Sequence, residues 1–495
     1  MESSTARSLF ARGIFVAGVS VVLMGIINYL FRRLLIVNLS TDDYGYFYSC
    51  LGIALTLLAV FDLGMGESQA ILISKYSEKG DFTRTRRLMN SVMFAKLAAG
   101  VLLLGIMLAA LPALTEFTGK SEYGVLVLSM LLCTLPFVMV YSTHLSALQG
   151  KKDFVAHSGL QLIKFAMILI ATWWFIKDYG IRAPVFSYFS GSVLVTVITV
   201  VYILARHRNL MLPLEVSGDP LKEVALYSVW VAISVAGQMF VTQIDTLMLT
   251  YFTDLHQVAL YNVALPVLQI FHAFLIFPLV FAPIATNLWQ HGAREDIASL
   301  FRATFDLLLA CSWMFVLVVF VYAEPIVAMM FDEKVVAAAK PLMLLTCGTA
   351  FLIMSRVTIT LLNAMQRQKD IALVVAAGVI LNIVANVFLI PHFGMMGAAA
   401  ASVATYMFIY LGSIRLLRKE IPLNSIAVSF LKFSVPAVAL AFILWRYGTE
   451  VETGSVRHGL VGLLLGAYTV LVAVLLWKWI PYFRAVVTSQ VAGDK

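Results

Sequence analysis

The chain has 495 residues, of which 61% are hydrophobic and only 13% charged, about half the charged share of a soluble protein. Mean hydropathy is +0.92, and apolar runs of twenty or more residues recur from end to end. This excludes a soluble globular enzyme and leaves no room for a soluble domain in the short connections. The net charge of +8 is a loop-by-loop signal in such a chain and gives no ground for a nucleic-acid partner. Cys50, Cys133, Cys311 and Cys347 all fall inside apolar runs, with neither metal spacing nor a disulfide framework. No metal or cofactor is expected.

In chain order, fourteen spans are predicted, centred near residues 24, 58, 98, 135, 165, 193, 237, 272, 310, 353, 381, 407, 436 and 467. The first run ends at Arg32-Arg33 without a small-residue cleavage site, so it is expected to stay as span 1. Span 2 is interrupted by Phe61-Asp-Leu-Gly-Met-Gly-Glu67, and span 8 carries Pro278 and Pro283. Broken helices at matching places of two repeats point to a binding cavity, against the plainer reading of ordinary kinks.

Spans 1–6 and 7–12 read as two homologous halves. Leu145-Ser-Ala-Leu-Gln-Gly-Lys-Lys-Asp153 returns as Leu362-Asn-Ala-Met-Gln-Arg-Gln-Lys-Asp370, at an offset of about 217 residues. Tyr179-Gly180 matches Phe393-Gly394, and Thr41-Asp42 matches Thr253-Asp254. An even number of spans per half makes the repeats parallel, related by a pseudo-two-fold along the membrane normal. The expected division is 1–210, 211–420 and a tail, 421–495, with spans 13 and 14.

Roughly 22 of the 35 Lys and Arg fall on the side holding both termini and the loops after even-numbered spans. Lys79, Arg86, Arg87, Lys151, Lys152, Arg206 and Arg418 are examples, whereas Asp42, Asp43, Asp254 and Asp332 mark the other side. Both termini are therefore expected in the cytoplasm.

Charges inside the membrane cost about 2.5–3.5 kcal/mol on insertion scales and usually face a partner or water. Lys96, Lys164 and Arg356 fall near mid-span; Asp62 and Glu67 lie at the span 2 break; Lys432 and His144 lie toward the basic side. Three central cations suit an anionic phosphate or pyrophosphate cargo. Two other readings stand beside that one: Lys96 and Lys164 pair with Asp62 and Glu67 as structural ion pairs, or a lysine snorkels along the lipid face. At an offset of 212, Arg33 aligns with Asp245. Opposite charges there would make a gate closing the outer side, with Arg32 beside it; snorkelling of Arg32 and Arg33 to headgroups is the alternative. His144 and His272 read first as packing histidines.

Arg33-Leu-Leu-Ile-Val-Asn-Leu-Ser-Thr-Asp-Asp-Tyr-Gly-Tyr-Phe-Tyr48 and Phe61-Asp-Leu-Gly-Met-Gly66 resemble the span 1–2 signature of Wzx-type polysaccharide flippases. That family belongs to the multidrug/oligosaccharidyl-lipid/polysaccharide exporter superfamily. Gln243-Ile-Asp-Thr-Leu-Met-Leu249 with Ala259-Leu-Tyr-Asn262 resembles its span 7–8 signature, and Ala147-Leu-Gln-Gly150 and Asn363-Ala-Met-Gln366 its span 4 and 10 ends. The resemblance implies an all-α polytopic fold of 14 transmembrane helices, two parallel six-helix lobes forming a V plus helices 13 and 14. It implies a polyprenyl-pyrophosphate-linked oligosaccharide as cargo, flipped from the cytoplasmic to the periplasmic leaflet of a bacterial inner membrane. A cationic cavity suits Lys164 and Arg356, with Gln243 among the cavity residues. A lipid-tail groove at helices 13 and 14 would lie by Lys432. A coupling proton or sodium, membrane lipids, and polysaccharide polymerase and export proteins complete the implied partners.

Two other functions compete. A multidrug antiporter of the same superfamily would favour an acidic cavity, for which Asp62, Glu67 and Asp245 are available. A membrane-embedded polysaccharide polymerase or ligase would need a large outer loop with acid–base residues, and the outer loops are short. No G-x-x-x-x-G-K-[ST] phosphate loop occurs, which removes an ATPase.

Overall fold

The computed structural model describes residues 2–62, 64–118, 123–271, 276–418, 420 and 423–448, with a few positions between 462 and 477. The helices of the first half are α1 (Glu2–Asn38), α2 (Thr41–Asp62), α3 (Met65–Glu78), α4 (Phe82–Ala109), α5 (Leu111–Phe117), α6 (Gly124–Cys133), α7 (Leu135–Gly150), α8 (Phe154–Tyr179) and α9 (Arg182–Arg206). Those of the second half are α10 (Gly218–Phe252), α11 (Leu255–Phe271), α12 (Ile276–Gln290), α13 (Arg294–Met330), α14 (Ala339–Ala364), α15 (Gln368–Phe393) and α16 (Met395–Leu416), followed by α17 (Leu423–Gly448). The protein is an all-α polytopic membrane protein. Among the described residues, eleven helices are long and apolar enough to cross a membrane. Expected spans 7 and 8 correspond to α10 and to α11 with α12, and span 14 falls mostly outside the described residues.

Local chemistry sets the ends and breaks. Asp81 caps α4 by accepting from the Arg84 N–H at 2.9 Å, and Asp153 caps α8 by accepting from the Ala156 N–H at 3.2 Å. Span 2 does break where expected: Gly64 takes φ 68°, a left-handed conformation that glycine adopts without a Cβ penalty, and α3 restarts behind it. Span 4 is divided at Thr134, with Pro136 in the first turn of α7. In span 8, Pro278 and Pro283 lie within α12; the join between α11 and α12, at 272–275, lies outside the described residues, as does His272.

The backbone repeats at 214 residues. Gly180 and Gly394 share φ near 55°, and Lys152 and Gln366 share φ near 60°. Helix ends agree, with Asn38 against Phe252, Thr41 against Leu255, and Tyr179 against Phe393. The identity between Leu145–Asp153 and Leu362–Asp370 is thus three residues out of structural register.

Two ends of the bundle differ. At the end holding the 39–40, 253–254 and 331–338 turns, both halves share one core. Leu35, Ile36, Tyr44 and Phe47 pack there with Val258, Tyr261 and Leu342. Gly45 is required at this junction, since a Cβ would lie 2.0 Å from the Leu255 carbonyl oxygen. At the basic end the cores separate: one is built on Leu72, Leu88, Tyr141 and Ile203, the other on Phe301, Phe305, Val357 and Ile409. Two lobes therefore join at one end and diverge toward the other. Leu210, Met211 and Val224 belong to the first lobe's core, so the connection between lobes is packed on α4. Glu215 pairs with Arg86 and Arg87, and Glu223 with Arg84, along that connection.

Candidate functional site

The sequence-predicted charges separate into distinct environments. At the span 2 break, the Lys96 ammonium on α4 pairs with the Asp62 carboxylate at the end of α2. Lys96 is fully buried, while the Asp62 side chain is 32% exposed. The second Asp62 oxygen accepts from the Gly66 backbone N–H at 3.2 Å, so the carboxylate also caps the restarted helix. This is the ion-pair reading of Lys96. Glu67, one residue farther along, is exposed and takes no part in that pair.

Lys164 on α8 has no carboxylate within ion-pair distance among the described residues; its ammonium lies 5.1 Å from the centroid of the Tyr141 ring. Arg356 on α14 is half-buried. His144 on α7 is fully buried, with Nδ1 at 2.7 Å from the Val140 carbonyl oxygen and Nε2 without a hydrogen-bond partner. Lys432 on α17 lies over the ring of its neighbour Phe433 at 4.8 Å, and the expected lipid-tail groove falls largely outside the described residues. Gln243 is half-buried on α10, two residues before Asp245.

Among the described residues, Asp245 is the centre of the most developed polar cluster. It is 2% exposed. One carboxylate oxygen accepts from the Asn386 amide at 2.8 Å and the Asn382 amide at 3.3 Å; the other accepts from the Tyr261 hydroxyl at 2.6 Å and from the Ser402 hydroxyl. The ligating groups come from α11, α15 and α16, all in the second lobe. Asn382 and Asn386 are four apart on α15 and therefore share a face. Every donor is neutral, so the cluster solvates a carboxylate without cancelling its charge. A buried charge of this kind is costly unless paired. The Asn386 side-chain oxygen is buried without a hydrogen-bond partner. Together with the oxygens of Asp245, Asn382, Ser402 and Tyr261, it gives an oxygen-rich setting suited to a proton or a hard monovalent cation. No group of three or more His, Cys, Asp or Glu capable of holding a metal occurs among the described residues.

The expected Arg33–Asp245 gate is not what the structure brings together. Arg33 is exposed, and its hydrogen bond goes to the Tyr29 hydroxyl at 3.4 Å. The alignment at 212 was two residues out of the structural register of 214, and two residues turn a helix by about 200°. Asp245 therefore corresponds to Phe31, not to Arg33. Arg32 bridges the lobes instead. It is buried, lies 4.4 Å over the Tyr48 ring, and donates to the Asn262 carbonyl oxygen at 2.5 Å. Asn262 donates in turn to Thr246 at 3.3 Å. Neighbouring residues of α11 thus do two jobs: Tyr261 holds the carboxylate, and Asn262 receives the inter-lobe arginine. Thr250 to Ser49, at 2.8 Å, is a second polar bridge at this end.

Sequence reasoning missed Asn382, Asn386 and Ser402. The signal available was two asparagines four apart within an apolar span.

Residues 10–289 match the family described as Polysaccharide biosynthesis protein, and residues 231–388 match that described as MatE. An uncharacterized membrane protein of Methanocaldococcus jannaschii is 24% identical over 417 residues, covering 79% of this chain and 81% of that protein. The solved structure of the lipid II flippase MurJ in an inward closed conformation superposes with a TM-score of 0.72 at 16% identity, covering 95% of this chain and 100% of that one. An inward-facing multidrug resistance MATE family transporter of the MOP superfamily gives 0.69 at 13% identity, covering 84% and 95%. The MATE transporter VcmN of Vibrio cholerae, in its bent form, gives 0.56 at 16% identity, covering 84% and 98%. These likenesses establish the fold.

Proposed function

The chain belongs to the polysaccharide biosynthesis protein family, and on that footing we propose that it flips a polyprenyl-pyrophosphate-linked oligosaccharide from the cytoplasmic to the periplasmic leaflet by alternating access. The observation that carries this reading is the unequal joining of the lobes, which share a core at one end and keep separate cores at the basic end. Two rigid lobes hinged at one end are the machinery of alternating access. With the basic end in the cytoplasm, as the Lys and Arg distribution favours, both termini are cytoplasmic and the lobes diverge inward. Lys164 and Arg356 are the cations we assign to the pyrophosphate, as charges carried within the spans on α8 of one lobe and α14 of the other. Polysaccharide polymerase and export proteins would consume the delivered product.

We assign the coupling cation, a proton or sodium, to Asp245. Its occupation would neutralise the carboxylate and relax the hold on Tyr261, next to the Asn262 carbonyl that Arg32 grips. The chemistry at one buried group is thereby one residue away from the contact that closes the far end.

The second reading, a cation-coupled multidrug antiporter, is favoured by this same carboxylate and by the comparable likeness to MATE transporters. Reconstitution into proteoliposomes separates the two. The flippase reading expects leaflet exchange of a lipid-linked oligosaccharide, accelerated by a proton or sodium gradient and lost when Lys164 and Arg356 are both neutralised. Normal exchange in that double variant would remove the cationic-cavity mechanism. Efflux of an organic cation without lipid exchange would establish the antiporter.

A further inference from the structure

Arg33, left without Asp245, has another setting. It lines a groove of about 490 Å³ between α1 and α8, whose walls include Leu30, Leu34, Val37, Ile170 and Trp173. We infer that this groove is a binding site for an anionic phospholipid of the surrounding bilayer, with its phosphate on Arg33 and one acyl chain along the apolar walls.

The location excludes the cleft between the lobes. Arg32, the preceding residue, is buried and grips Asn262 across the closed junction. The opposite face of α1 carries Leu30, Arg33 and Val37, all exposed, with Ile170 and Trp173 of α8 each 62% exposed beside them. In a membrane-spanning bundle, such a face meets lipid. The charge selects the kind of lipid. Arg33 has only the long contact to Tyr29 and no carboxylate within ion-pair distance among the described residues. A guanidinium held among apolar walls is complementary to a phosphate, which it can engage bidentately. Trp173, near the end of α8, lines the groove together with Arg33, and aromatic rings of this kind mark the headgroup boundary.

The test uses the full chain in bilayers that mix phosphatidylglycerol with phosphatidylcholine, one of the two carrying brominated chains, then the reverse. Tryptophan quenching is read with and without Trp173→Phe, so that the difference reports Trp173. The expected result is a preference of about five-fold for the anionic lipid at Trp173, the scale of one basic side chain near anionic lipid. Arg33→Gln should bring the preference to unity and Arg33→Lys should retain part of it. Ile170→Phe, which fills the groove, should lower quenching by both lipids. Soluble glycerol phosphate should not compete. Equal quenching by both lipids in the unaltered chain would overturn the proposal, as would an unchanged preference in Arg33→Gln. Displacement by glycerol phosphate would also overturn it, by showing a site for the phosphate alone. Should Arg33→Gln fail to fold, the comparison of the two lipids on the unaltered chain still decides.

Discussion

Among the carboxylates carried within the described spans, Asp62 and Asp245 are held under opposite regimes. Asp62, in the first lobe, is met by the Lys96 ammonium and a backbone N–H and remains a third exposed. Asp245, in the second lobe, is almost wholly buried and met only by two amides, a phenol and a serine hydroxyl. A pair of opposite charges is electrically complete and holds structure. A carboxylate solvated by neutral dipoles keeps an unmet charge, and such a group can respond to a proton or cation. The repeated scaffold thus carries a carboxylate met by an ammonium in one lobe and one met only by neutral dipoles in the other.

The largest effect that would sharpen this contrast is expected from Asp245→Asn. It removes the unmet charge with little change in shape, so the acceleration of transport by a cation gradient should fall by about 5–150-fold, the usual range of a coupling energy. Gradient-driven transport in proteoliposomes measures it, and undiminished gradient dependence would place coupling elsewhere. Asp62→Ala should act on stability instead. Breaking a buried pair costs about 3–5 kcal/mol, and the exposure of Asp62 reduces this to about 2–3 kcal/mol. The double change Asp62→Leu with Lys96→Met should recover most of the loss in a denaturation experiment in detergent; a double variant as unstable as the single one would break the comparison. Tyr261→Phe removes one hydrogen bond to the Asp245 carboxylate, so a loss of about 1.5–3 kcal/mol is expected by the same measurement.

Outside the membrane the effects become small. The Tyr76 hydroxyl, helped by Arg84, holds the Glu223 carboxyl below its ordinary value of 4.5, against an opposing push from burial. A carboxyl that is more acidic in the folded protein contributes stability above about pH 4.5, and that contribution is lost as the pH falls through its depressed folded value. The pair is largely exposed and screened, so its share is about 1 kcal/mol or less. Melting temperature against pH, with and without Arg84→Ala, reads it: the difference between the two proteins should shrink below pH 4.5. The smallest effect is an expected zero: reversing Arg33 and Asp245 together should rescue nothing that either reversal loses, and rescue in transport would restore the gate that the register argues against.

Much of the fold is legible in the sequence. Apolar runs gave the spans, because an unsatisfied backbone in lipid forces helices. Phe61–Glu67 gave the break in span 2, because Gly64 can take a left-handed conformation that other residues resist. The site was less legible. Lys96 and Asp62 were each visible as charges, and their pairing was one reading among several. Asp245 was visible, but its neighbours were assigned from a repeat aligned on identities.

What the sequence alone determined is the one-dimensional inventory: where the membrane segments run, that they come in two homologous sets, and which segments carry charge. Tertiary structure decided which charges meet. Helix starts and ends at Asn38, Thr41, Phe252 and Leu255 set the register at 214 residues. A shift of two residues, trivial in an alignment, turns a side chain by about 200° to the other face of its helix. That rotation gives Asp245 to Tyr261 and the asparagines of α15, gives Asn262 to Arg32, and leaves Arg33 on the exposed face of α1.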